Sequence, residues 1–301
     1  MSIRDDYAEV KKRGGVFDLK SRLKLLFTGN DRIRYLNGQV TAKLTGAIGI
    51  QPACVTTAKG KLCADVFIST FPDAVMVDAD GLVAESLPAR LEKYIVADDV
   101  VIEDITSSAS LFHCAGIPAE QVNDIAPAFA SNRLGIPGAD LLIRSGEDSR
   151  PVWEKLSARF PTITDELAEV LRIEAGIPRW GYELDENTLP AEAGLDRTHV
   201  DFHKGCYIGQ EVISRIKSVG HVNRSLRRFV SHNREIITAK SRISSVDALE
   251  KDLGIITSSA FSFALDRVIA VGFLRRGALE SGLVSTDPHG INAPVLLDLI
   301  D

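Results

Sequence analysis

The chain has 301 residues, 45% of them hydrophobic, enough to bury a large core divided into two or three modules. Its 35 basic and 41 acidic side chains leave a net charge of −6, which argues against the broad cationic surface that nucleic-acid binding requires. The four cysteines form no C-x-x-C pair and no dense disulfide framework, so a structural zinc site is not expected and a reducing compartment is. The N-terminal MSIRDDYAEV lacks the apolar run of a signal peptide, and no window approaches a membrane span; a cytoplasmic protein without a membrane partner is expected.

In chain order, residues 16–27 and 32–37 read as a strand followed by a short helix. Residues 51–71 read as a hairpin turning at Lys59–Gly60, and 74–79 as a third strand. An amphipathic helix is expected over about 83–95, then strands at 100–105 and 110–115. This order suggests an α+β module with helices packed on an antiparallel sheet. A Pro- and Gly-rich loop (116–138) leads to a strand at 139–145 and helices near 151–160 and 164–175. Beyond a boundary near 225, short strand candidates separated by turns predict a small all-β barrel or sandwich.

Two residues stand out by position. On the helix at 164–175, Glu174 continues the stripe of Leu167, Val170 and Leu171, while Arg172 and the other charges point elsewhere. A carboxylate on a buried face needs donors. Those donors come either from an arginine or backbone amides, or from a ligand with adjacent N–H groups such as a pterin or purine edge. Cys206 lies between Gly205 and Gly209, just ahead of a helix expected from Gln210. It reads either as a buried inert thiol or as a reactive one activated by the helix start and Lys204. His113, His199, His203, His221, His232 and His289 show no metal-binding spacing, and no Gly-rich nucleotide loop is present, so no metal site is assigned.

KGCYIGQE (204–211) resembles the signature of the bacterial YgfZ folate-binding family, whose mitochondrial relatives assist iron–sulfur cluster maturation. RIEAGIPRWGYELDENTLPAEAGL (172–195) resembles a segment shared with the glycine-cleavage T-protein, a tetrahydrofolate-dependent aminomethyltransferase. YLNGQVTAKL (35–44) and TTAKGKLCADV (56–66) resemble two further shared segments. The resemblance implies a three-module α+β fold around a central folate cavity. A ferredoxin-like module at about 46–124 would lie within a folate-binding region 1–225, followed by a β-barrel at 226–301. It places Glu174 on the pterin ring, with Asp65, Trp180, Gln210 and Lys43 also at the folate, and it makes Cys206 the reactive thiol beside Lys204. One departure matters: the acid that the resemblance expects in the segment V-T-A-K-L falls on Lys43. An ammonium cannot stabilise a developing cationic iminium, which argues against aminomethyl transfer. The expected function is therefore a tetrahydrofolate-binding protein supporting iron–sulfur assembly or repair, with folate and assembly proteins or client enzymes as partners. Its rivals are a T-protein-like transferase and a non-catalytic interaction module.

Overall fold

The computed structural model describes residues 2–144, 146–232, 234–278, 281–287 and 293–300. Ser145, at the end of an expected strand, and His289 lie outside the described residues. Helix α1 (Ile3–Arg13), additional to the expected elements, is opened by a capping box in which Ser2 and Asp5 exchange hydrogen bonds. It leads into β1 (Gly15–Asp18), β2 (Leu23–Thr28) and α2 (Arg32–Gln39). The hairpin of β3 (Gly49–Thr56) and β4 (Leu62–Thr70) precedes β5 (Val75–Ala79), α3 (Ser86–Glu92) and β6 (Val101–Asp104). Then come β7 (Ser110–Ala115), β8 (Ala128–Ser131), β9 (Gly138–Ile143), α4 (Arg150–Arg159), α5 (Asp165–Ala175) and α6 (Gln210–Ser218). The last strands are β10 (Arg224–Ser231), β11 (Arg242–Ser245), β12 (Gly254–Ser262), β13 (Arg267–Arg275), β14 (Leu283–Thr286) and β15 (Val295–Ile300).

These elements form three β assemblies. A five-stranded antiparallel sheet runs β3-β4-β5-β2-β6, a four-stranded sheet runs β1-β7-β9-β8, and β10 to β15 close into a six-stranded barrel. The five-stranded sheet covers one face with α2 and α3, where Leu36, Tyr35, Leu87 and Leu91 meet Ala64, Val66, Ile68, Val75 and Val77. The expected span of 46–124 is displaced. Strand β2 lies N-terminal to it yet sits between β5 and β6, because Leu23, Lys24 and Leu25 are buried on both faces. Strand β7, at its other end, belongs to the four-stranded sheet. Strand β8 arises within the region expected to be loop.

The barrel is joined to the rest through α5 and the chain that follows it. Ile173 packs on Val230, Ile269 and Val271 outside the barrel, whose interior holds Phe229, Ile256, Val268 and Ala270. Arg172 donates to Ser258 Oγ (2.8 Å), and Glu183 accepts from Thr257 (2.7 Å) and Ser258 (2.6 Å). Gly176 ends α5 in the left-handed conformation, φ 68° and ψ 25°, as its place after the apolar stripe predicts.

Candidate functional site

The five-stranded sheet turns its second face, the one away from α2 and α3, toward the other modules, and that face is polar. Strand β4 alternates, so Asp65 and Phe67 oppose the side that buries Ala64, Val66 and Ile68. In register, Phe67 lies beside Asp78 of β5, and Asp78 beside Lys24 of β2. Arg133, from the turn between β8 and β9, reaches across from the four-stranded sheet. Its guanidinium forks onto both oxygens of Asp78 at 2.8 Å, and its Nε donates to Asp140 at 2.6 Å. Asp140 also accepts from Ser131 Oγ (2.6 Å) and lies 2.7 Å from His113 Nδ1. Arg22 pairs with Asp78 from the other side. The Arg133 guanidinium stands 4.0 Å from the centroid of the Phe67 ring.

Burial alone would raise Asp78, but Arg133 and Arg22 outweigh it and hold the carboxyl below its ordinary range. Burial likewise pushes Asp140 up, and Arg133 and His113 overcome it, leaving the group at about 2. Asp65 goes the other way. Burial raises it, and the attraction of Arg22 is too small to offset that. Among the described residues no donor other than its own backbone N–H serves its carboxylate. Asp65 nevertheless keeps a part-exposed edge. Cys54, its cross-strand neighbour, belongs to a cluster with Leu62, Leu184, Ala193 and Leu195, against which Trp180 packs. His199 presents its ring edge-on to Phe67 with centroids 6.5 Å apart, and burial lowers it to about 4, so it is a neutral imidazole near pH 7.

Glu174 is placed differently from its expectation. Arg172, expected to point outward, is 4% exposed and lies between Glu169, Glu183 and Ser258, while Glu174 is part-exposed. The reason is the barrel, which buries the side of α5 that a helix alone would leave in water. Both Glu174 oxygens already accept from hydroxyls, Oε2 from Tyr7 (2.8 Å) and Oε1 from Ser262 (2.6 Å). Within the chain its donors are therefore two hydroxyls, and not the arginine or backbone amides that the sequence offered. Glu174 hydrogen-bonds to none of the other candidates.

The signature turn, residues 204–209, is fastened at both ends. Lys204 is 7% exposed, and its ammonium donates to the carbonyls of Asn37 (2.9 Å), Val40 (2.7 Å) and Ala42 (2.6 Å). It thereby satisfies the C-terminal end of α2. Burial lowers Lys204 to about 8, with Asp201 opposing. All three of its N–H groups are engaged by carbonyls, so Lys204 anchors the turn. At the other end Gly209 has φ 91°, and a Cβ there would lie 2.5 Å from Thr56 Oγ1 and 2.6 Å from Thr57 O. Thr56 Oγ1 also donates to Ile208 O at 2.6 Å. Between these ties Cys206 is exposed, which removes the buried-thiol reading, whereas Cys54 and Cys114 are fully buried and Cys63 is partly so. Gln210 is the first residue of α6. Lys43 is exposed one residue from the carbonyl that holds Lys204.

The candidates thus fall into three places: Asp65 with Trp180 on the sheet face, Lys43 with Lys204, Cys206 and Gln210 at the turn, and Glu174 at the barrel junction. Arg22, Phe67, Asp78, Arg133 and His199 complete the polar face and were not singled out as site residues from the sequence. Asp78 carried a signal, a carboxylate inside the apolar run AVMVDA. A cavity of about 380 Å³ between Asp18, Thr106, Ser110 and Trp153 is lined by none of the candidates. The described residues contain no group of three or more His, Cys, Asp or Glu arranged to hold a metal. No described helix is long and apolar enough to cross a membrane.

No protein-family model matches the chain. It is 28% identical over 223 residues to a "tRNA-modifying protein YgfZ" of Yersinia enterocolitica, covering 66% of each chain. It is 28% identical over 244 residues to an "Iron-sulfur cluster assembly factor IBA57 homolog, mitochondrial" of Chaetomium globosum, covering 70% of this chain and 54% of the relative. An "Aminomethyltransferase" of Herpetosiphon aurantiacus is 26% identical over 306 residues, with coverage of 92% and 83%. The chain thus matches between about half and two thirds of the length of the first two relatives. Among solved structures, the glycine cleavage system aminomethyltransferase T from Bartonella henselae superposes with a TM-score of 0.84 over all of this chain and 88% of that one. At 16% identity this likeness establishes the fold alone.

Proposed function

We propose that the chain is a tetrahydrofolate-binding accessory protein of iron–sulfur cluster assembly or repair, with Cys206 as its working thiol. The observation that carries the reading is the exposed Cys206 on a turn held by Lys204 and Gly209, with the other cysteines on strands and wholly or partly buried. The names of two sets of relatives, iron–sulfur assembly factors and a tRNA-modifying protein, support the same area of function.

A reduced folate fits the sheet face. Asp65 is a part-exposed carboxylate without an outside donor, the acceptor that the amino and ring N–H groups of a pterin require. Phe67 and Trp180 supply apolar walls, and Arg22 adds a cation near the same carboxylate. Glu174 already holds the Tyr7 and Ser262 hydroxyls, whereas Asp65 has no outside donor among the described residues, so Asp65 is given the anchoring role. Aminomethyl transfer, favoured by the Herpetosiphon relative, lacks an acid at Lys43.

The test is complementation of a strain without its own YgfZ-type protein. Cys206→Ser should fold normally yet fail to restore iron–sulfur enzyme activity, while serine at Cys54, Cys63 or Cys114 restores it. Full rescue by Cys206→Ser would overturn the role of the thiol. Ammonia release from an aminomethylated carrier protein at the turnover of a T-protein would favour the transferase instead.

A further inference from the structure

Most surface arginines of the chain have a carboxylate partner: Arg34, Arg144, Arg150, Arg159, Arg234 and Arg275 are each paired. The face around Cys206 instead gathers cations with few carboxylates among them. Lys43, Lys59, Arg215 and Lys217 are all exposed there, and Arg215, unlike those arginines, has no ion-pair partner among the described residues. Contacts make this one surface. A Cβ on Gly60, next to Lys59, would lie 3.0 Å from Val212 of α6, the helix that carries Arg215 and Lys217. Lys217 Nζ stands 5.2 Å from the Phe202 ring centroid, beside the signature turn. Lys204 binds the carbonyl next to Lys43 at 2.6 Å. Glu211 is the single carboxylate of α6, and Asp201, which accepts the N–H of His203 at 2.8 Å, is the other acid close to the turn, so the exposed cations outnumber these carboxylates. On a chain of net charge −6, this is a local reversal of sign.

We infer that this cationic face is the docking surface for an acidic protein, which seats over Cys206. A protein suits the surface better than a nucleic acid does. Single-stranded RNA needs aromatic platforms for its bases, and here Phe202 lies under Lys217 while Tyr207 is buried. An acidic protein needs only complementary charge around a central contact. The inference gives the partner of the proposed thiol its chemistry, and to that extent it rests on that reading.

The experiment follows alkylation of Cys206 by iodoacetamide, mapped by mass spectrometry, with poly-L-glutamate as the acidic probe. Poly-L-glutamate should slow alkylation about fivefold or more at low ionic strength, and the protection should vanish at high salt. The combined variant Lys43→Glu, Arg215→Glu, Lys217→Glu should lose the protection. A control with Lys12→Glu, Lys93→Glu and Lys155→Glu, exposed lysines elsewhere, should keep it. Absence of protection in the wild type overturns the inference, as does equal loss in the control or stronger protection by an RNA oligonucleotide of equal charge. The Cys206→Ser complementation assay reports separately on the thiol, so the two ideas can fail independently.

Discussion

Asp78 and Asp65 stand on the same face of the central sheet, on neighbouring strands, and their surroundings push them in opposite directions. Asp78 is buried and saturated by two arginines, one of which also ties down Asp140, so the charges there hold two sheets together. Asp65 is raised by burial and has no outside donor among the described residues. A carboxylate that the fold has satisfied is structural, and one that the fold has desolvated and left short of donors is available to a ligand.

The largest effect should come from breaking the saturated end. Arg133→Met removes the common partner of Asp78 and Asp140 and leaves two buried charges under-compensated, a loss of about 3–5 kcal/mol. Urea denaturation measures it, and a loss below about 1 kcal/mol would show that the network relaxes at little cost. Acid sharpens the contrast. Asp140 is depressed to about 2 from an ordinary 3.8, so its contribution is complete above 3.8 and is lost as pH falls toward 2. Asp65 is raised, so its contribution is present below 3.8 and is lost as pH rises through its folded value. Asp65→Asn should therefore gain in stability relative to wild type as pH climbs to neutrality.

The open end should be felt in binding. Asp65→Asn should weaken tetrahydrofolate by about ten- to a hundredfold, or 1.5–3 kcal/mol, when titrated by calorimetry, and Glu174→Gln by less. A larger loss in Glu174→Gln would return the pterin to the barrel junction. The contrast of filled and open recurs in the signature turn. Gly209→Ala meets Thr56 and Thr57 in a left-handed backbone and should cost about 1–3 kcal/mol in thermal or urea unfolding. Gly205→Ala meets nothing within 4 Å and should be nearly neutral. Cys206→Ser, exposed, should shift stability by no more than about 0.5 kcal/mol, which makes its failure to complement a statement about chemistry.

The legible part of this molecule is its local order. The hairpin turning at Lys59–Gly60, the run of helices α4 and α5 and several barrel strands follow from periodicity and turn residues. Helix α1 was readable too, since Ser2 and Asp5 have capping-box spacing. Strands β11 and β14 have four residues each, too few to show a period. The polar face was not legible because its members come from β2, β4, β5, β7 and β9 and meet only when two sheets dock. For the same reason helical spacing on α5 misjudged Arg172 and Glu174, whose burial is decided by a barrel that begins fifty residues later. The K-G-C spacing signalled the turn but not that Lys204 would bond inward to three carbonyls.

The closed barrel carries one further consequence, for association between copies. With β10 bonded to both β13 and β15, its ladder has no free rim at which a foreign strand could add. The central sheet does end in such a rim, at β6, which among the described residues pairs with β2 alone. That strand has only four residues, and its exposed Val101 is followed by exposed Glu103 and Asp104. Brevity and negative charge there act as gatekeepers against strand-to-strand aggregation. Replacing Glu103 and Asp104 with threonine would leave an exposed edge of raised β-propensity, at which copies of a concentrated sample would stack.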